Sequence, residues 1–106
     1  MDWKKRFYCG DLRADHVNQD IILMGWVDAI RDHSNLLFIH LRDISGIVQV
    51  VFDSKKHAHC YTDAAALREE YVVEVRGKVL IREAGTANPH LKTGEVEVEA
   101  SGLTLL

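Results

Sequence analysis

The chain has 106 residues, 47% of them hydrophobic and 27% charged, with a formal net charge of −3. That length supports one core and one domain, and the composition is that of an ordinary globular protein. No apolar run approaches the length of a membrane span, and the acidic balance argues against a protein that grips nucleic acid mainly through its phosphates.

The N-terminal Met1 to Arg6 carries basic residues with no apolar stretch behind them, so it does not read as a secretory signal. Cys9 and Cys60 are few and far apart, which favours reduced thiols in a cytoplasmic protein over a disulfide framework. Residues 11–20 (DLRADHVNQD) predict a short helical turn, capped by Asp11 or Asp15, that leads into a strand. His16 and Asn18 read as solvated surface.

The first strand is expected over Ile21 to Ala29. Both of its sides are apolar, so part of it should be covered on two faces, and Gly25 suits a bend in a closing barrel. Arg31 to Asn35 is a polar turn, Leu36 to Leu41 the second strand, Asp43 to Gly46 a tight turn and Ile47 to Phe52 the third strand. These make an antiparallel meander.

Side-chain parity divides the meander into two faces. Leu37, Ile39 and Leu41 share one with Val48, Val50 and Phe52, and this face is core. The other carries Phe38, His40 and Arg42 with Gln49, and Arg31 lies close by in the turn. An aromatic beside hydrogen-bonding and cationic groups suits stacking on a base and reading its edge. The competing reading is that Phe38 is covered by another part of the same protein.

After Asp53 the pattern changes. Ser54 to Asp63 is polar, and Ala64 to Glu70 has helix propensity, with Ala64 and Leu67 able to face the core. Tyr71 to Ile81 is the fourth strand, with a bulge or bend at Gly77. Arg82 to Thr93 is a loop, and Glu95 onward is the fifth strand, with valines inward and glutamates on a solvated face. One helix between the third and fourth of five strands predicts an all-β fold with one short helix, a five-stranded Greek-key barrel of the oligonucleotide-binding (OB) type.

No nucleotide loop or nucleophile motif is present. His57, His59 and Cys60 lie close together, but Cys9, His16 and His33 are scattered, and zinc sites use four ligands at paired spacings. No metal site is expected.

The succession GWV, RD, FI, LRD, GIVQVVFD and TGEVEV, with Tyr8-Cys9-Gly10-Asp11-Leu12 ahead of it, resembles the N-terminal anticodon-binding domain of bacterial-type aspartyl-tRNA synthetases. The resemblance runs from about Tyr8 to Leu106. It implies a single OB domain over residues 1–106, cut from or akin to a larger enzyme whose catalytic domain is not in this chain. That parent would be a homodimer that uses ATP and magnesium to activate aspartate and load it on tRNA. This chain would recognise the anticodon loop without doing chemistry. By the resemblance, Phe38 stacks on an anticodon base, Gln49 bonds the middle uracil and Arg31 holds the loop; strand parity adds Arg42 and His40 to the same RNA-binding face. A histidine at the position of His33 accompanies relaxed enzymes that charge both aspartate and asparagine tRNAs.

One departure stands out. The family carries an arginine run where this chain has Asp28, Ala29 and Ile30, so two phosphate-facing cations are missing. Lys55 and Lys56, or Arg82 and Lys92, are the candidates to replace them. The rival readings are the same domain of a lysyl- or asparaginyl-tRNA synthetase, a stand-alone single-strand-binding protein of this fold, and a domain that only mediates assembly.

Overall fold

The computed structural model describes residues 5–83 and 85–106. The Met1 to Lys4 part of the basic N-terminus and Ala84 in the last loop lie outside the described residues.

The elements in chain order are β1 (Lys5–Arg6), two single 3-10 turns (Cys9–Asp11 and Ala14–His16), β2 (Asp20–His33), β3 (Leu36–Asp43), β4 (Gly46–Asp53), α1 (Ala58–Ala64), β5 (Val72–Ile81) and β6 (Val96–Leu105). Strands β2 to β6 form a closed five-stranded barrel. The sheet runs β1-β2-β3-β4-β6-β5, and β2 pairs again with β5 to close it. The β4–β6 contact is parallel and short, Val50 opposite Val98 and Val51 opposite Glu99, while the other barrel pairings are antiparallel. This is the OB-type barrel that the order of elements predicted. The two-residue β1, parallel to the start of β2, was not legible in the sequence.

The core is the inward set of these strands: Ile21, Leu23 and Val27 of β2, Leu37, Ile39 and Leu41 of β3, Val48, Val50 and Phe52 of β4, and Val73, Val75, Val79, Val96 and Val98 of β5 and β6. The barrel bends where glycine lets backbones meet. A Cβ on Gly25 would stand 2.3 Å from the Arg42 carbonyl oxygen, and one on Gly77 2.4 Å from that of Glu99. The β5–β6 register shifts at Arg76/Gly77, the bulge expected there.

Three expectations change. The β2–β3 turn is two residues, not five: Arg31, Asp32 and His33 continue β2, His33 pairs with Leu36, and Ser34 makes the reversal at φ 60. Neither Asp11 nor Asp15 caps a helical turn. The second turn is closed by His16, whose Nδ1 accepts from the Arg13 N–H at 3.0 Å, and the half-buried His16 ring packs edge-on against Phe7 with centroids 4.7 Å apart. The first turn is held by β3 and its following bend: Cys9 N–H donates to Asp43 Oδ2 at 2.8 Å and Gly10 N–H to Ser45 Oγ at 2.7 Å. Finally, α1 occupies Ala58–Ala64 rather than Ala64 to Glu70. Cys60 and Ala64 are its buried side, and Leu67, in the turn that follows, joins the core beside them. The helix cannot continue because the chain must join β2: Glu70 N–H donates to the Val27 carbonyl at 2.7 Å, and Val27 N–H to the Tyr71 carbonyl at 2.9 Å, with Glu70 at φ 75. Pairing of β2 overrides the propensity of the alanine run. Among the described residues no helix is long and apolar enough to cross a membrane.

Candidate functional site

The outward face of β2, β3 and β4 is built by one irregularity. Val27 opposes Leu41, but the next pair is Ala29 with His40, so Asp28 is an extra, unpaired residue. Strand parity alone would put Ala29 and Arg31 inward with Val27. The bulge turns them outward, where Ala29 joins His40 and Arg31 joins Phe38. Gln49 lies opposite His40 on β4. Side chains of directly opposed residues share a face, so Ala29, Arg31, Phe38, His40 and Gln49 come together.

They line a hollow of about 220 Å³ with Ile30. The Arg31 guanidinium lies 5.1 Å from the Phe38 ring centroid, within reach of a cation–π attraction. Phe38 is therefore half-buried beside a cation, rather than either bare or covered by a distant segment. A second hollow of about 320 Å³ adjoins the first. It shares Arg31, Phe38 and Gln49 and adds Lys56, Arg82 and Glu97, among others.

Gln49 is 7% exposed, less open than an outward strand position suggests. Its Nε2 donates to Glu97 Oε1 at 3.1 Å, because β6 lies directly alongside β4. The expected solvated glutamate face is thus corrected. Glu95 is exposed, but Glu97 and Glu99 are half-buried. Glu99 sits 3.3 Å from Lys56 Nζ and 3.5 Å from His57 Nε2. Burial raises the Glu97 carboxyl above its ordinary pKa, against the opposing pull of the Gln49 amide and of Arg82. His40 is shifted the other way, first by burial and then by the Arg82 charge, so its imidazole favours the neutral form.

Arg82 is the residue whose importance the sequence hid. It is 9% exposed. Its Nε donates to the Val96 carbonyl at 3.3 Å and one terminal nitrogen to the Thr86 carbonyl at 3.1 Å. The other, Nη2, is buried and has no hydrogen-bond partner among the described residues. A lone arginine at a strand end gives no signal in sequence beyond that of a loose surface cation.

Two predicted residues stand apart. Arg42 shares the outward side, but its Nε is tied to Asp28 Oδ1 at 3.0 Å. His33 ends β2 at the exposed tip of the hairpin. Of the candidate replacement cations, Arg82 is buried, whereas Lys55, Lys56 and Lys92 are exposed, Lys56 being paired with Glu99.

Residues 21–106 match the tRNA anti-codon family, described as an OB-fold nucleic acid binding domain. The Aspartate–tRNA(Asp/Asn) ligase 1 of Syntrophus aciditrophicus is 52% identical over 107 residues, covering 100% of this chain and 15% of that protein. The Aspartate–tRNA(Asp/Asn) ligase of Bacillus subtilis is 44% identical over 96% of this chain and 17% of its own length. The chain thus spans less than a fifth of these two relatives. Among solved structures, the asparaginyl-tRNA synthetase of Pyrococcus horikoshii superposes over 96% of this chain and 22% of its own, with TM-score 0.79 at 25% identity.

Proposed function

The chain belongs to the family of OB-fold nucleic acid binding domains, and from that premise we propose that it is the anticodon-reading domain of an aspartate–tRNA ligase. The observation that carries this reading is the convergence of Arg31, Phe38 and Gln49 on the two adjoining hollows. Loop bases are unstacked and can be both stacked upon and read at their edges. Phe38 supplies the stacking face, steadied by Arg31. Gln49, held by Glu97, offers an amide to the edge of the middle base. Arg82 lines the second hollow, and its Nη2 has no acceptor among the described residues; a small shift of the guanidinium would let a base carbonyl accept from it. His40, neutral and beside Gln49, adds a second edge contact. Arg42 and His33 lie at the margins, where they meet backbone or a flanking base.

In this account identity comes from the domain and chemistry from the rest of the enzyme. That enzyme is a cytoplasmic homodimer which activates aspartate with ATP and magnesium. Both belong to its remaining length. Among the described residues no group of three or more His, Cys, Asp or Glu side chains gathers to hold a metal ion. The curated relatives are called Asp/Asn ligases, which supports a relaxed specificity and favours the aspartate group over the lysyl and asparaginyl alternatives.

The test is fluorescence anisotropy of a labelled aspartate anticodon stem-loop, set against the same stem with a scrambled loop and against a plain duplex. Binding to the first with markedly weaker binding to the others supports the reading. Equal binding to all three, or none at low salt where charge contacts are strongest, contradicts it.

A further inference from the structure

Strand β6 carries its inward stripe past the edge of the core. Leu103 lies opposite Val75 and Leu105 opposite Val73. Both valines are fully buried, so the two leucines stand on the core-facing side. Leu103 packs on the core, yet Leu105 is 60% exposed. Helix α1 ends at Ala64 and leaves it uncovered. The result is a groove of about 280 Å³ between the turn after α1 and the paired ends of β5 and β6, lined by Asp63, Ala66, Leu67, Tyr71, Leu103 and Leu105 among others. Tyr71, Val72 and Leu106 are exposed as well, and the Leu106 N–H donates to the Val72 carbonyl at 2.9 Å. Contiguous exposed apolar surface of this kind marks an interaction site.

The rim is acidic. Asp63 lines the groove, and Glu69 and Glu70 are exposed in the turn between its lining residues Leu67 and Tyr71. The cation in that turn is Arg68, whose Nη1 donates to the carbonyls of Ala66 and Leu67. Three carboxylates against one arginine repel RNA, and no residue of this groove lines either hollow of the anticodon face. They also disfavour a second copy, because a two-fold dimer sets a patch against itself, here acid against acid. The occupant that fits is a polypeptide with apolar side chains flanked by lysine or arginine. The chain spans 15% and 17% of the two ligases it matches, so most of such an enzyme lies outside these residues and is tethered to them. Tethering raises the effective concentration of a linked segment far above that of a free one, and contacts between domains of one chain have this mixed apolar and polar character.

We propose that the groove between α1 and the ends of β5 and β6 is a docking surface for another part of the same enzyme, a segment with apolar side chains flanked by lysine or arginine. This rests on the reading of the chain as one domain of a ligase and goes beyond it. One surface of the domain takes the anticodon, and a separate one holds the domain to the rest of the enzyme.

The test compares the 106-residue chain with the full-length ligase that carries it. Leu105→Cys places a thiol in the groove, and Ile44→Cys places one at a turn position that is 93% exposed, as a control. Cys9 and Cys60 are buried, which shields them from the probe, a maleimide whose adducts are mapped by mass spectrometry. In the 106-residue chain both new thiols should react at similar rates. In the full-length ligase the thiol at position 105 should react about tenfold or more slowly, because it is reached only when the docked segment opens, and the control should not change. Asp63→Lys with Glu69→Lys should remove most of that protection, with circular dichroism checking each variant. Hydrogen exchange at residues 103–106 of the unmodified proteins repeats the comparison without a substitution and should show the same protection. The inference is overturned if position 105 reacts equally fast in both proteins, or if the charge reversal leaves its protection unchanged. It is also overturned if the 106-residue chain protects the thiol by itself in a concentration-dependent way, since a second copy is then the occupant. The anticodon reading is scored separately by stem-loop titration, in which Leu105→Cys should bind as the wild type does.

Discussion

Gln49 and Glu97 meet across the parallel seam of the barrel, amide nitrogen to carboxylate oxygen at 3.1 Å. One lies on β4 and the other on β6, 48 residues later in the chain. The pair fixes the side chain proposed to read a base, and it fixes it with a carboxylate whose burial is unfavourable.

That cost gives a pH dependence. Burial raises the Glu97 pKa in the folded state, so the native protein holds a proton that the unfolded chain has released. Between the unfolded and folded pKa values, stability falls as pH rises, and above both the penalty is complete. Glu97→Gln removes the charge and keeps an acceptor for Gln49. Its thermal midpoint should exceed that of the wild type at pH 7, and the gain should vanish on acidification below the ordinary carboxylate range. A lower midpoint at pH 7 would contradict the assignment.

Arg82→Lys keeps the charge and loses the planar set of donors. RNA affinity should fall about tenfold, the worth of one charge-assisted hydrogen bond, while the thermal midpoint moves by only a few degrees. Anisotropy and a melting curve on the same preparation separate the two effects. Unchanged affinity would remove Arg82 from the site.

Deleting Asp28 removes the extra residue, so Ala29 follows Val27 directly and plain alternation keeps Ala29 opposite His40 and Arg31 opposite Phe38 on the outward face. What is lost is the partly exposed ion pair of Asp28 with Arg42, worth about 1 kcal/mol or less. The variant should therefore lose about 1 kcal/mol or less in urea unfolding and keep RNA binding within about threefold. Loss of binding in a folded variant would show that the local twist of the bulge, and not alternation alone, sets the face.

His33 stands at the exposed tip of the β2–β3 hairpin. If it accompanies relaxed recognition, loops ending in cytosine or uracil should bind within about threefold of each other, a difference of about 0.7 kcal/mol or less. A large preference for cytosine, measured by competition, would contradict this.

The legible and the hidden parts of the structure differ in the range of the contacts that make them. The core faces of β3 and β4 were legible because the alternation Leu37, Ile39, Leu41 and Val48, Val50, Phe52 is local and strict. Phe38, His40 and Gln49 came from the same parity. The bulge at Asp28 was not legible, because nothing in the run GWVDAIRD marks which residue is extra. The face of Arg31 depends on it. Glu97 was read as solvated and Arg82 only as a replacement surface cation for a related reason. Their environment is created by β4–β6 and β5–β6 pairing, and alternation along β6 alone reports only that the glutamates point away from the core. The helix was displaced because alanine-rich propensity is a weak prior against the need of Glu70 and Tyr71 to pair with Val27.

The central claim is that Phe38 and Gln49 together stack and read one base. The most direct measurement is titration of the aspartate anticodon stem-loop, with uracil or cytosine at its middle base, against the wild type, Phe38→Ala and Gln49→Ala. The account predicts that Phe38→Ala weakens both loops by about 1–3 kcal/mol, whereas Gln49→Ala weakens the uracil loop selectively and narrows the preference between them. If all three proteins bind both loops equally, the face built by Arg31, Phe38 and Gln49 is not where the anticodon is read.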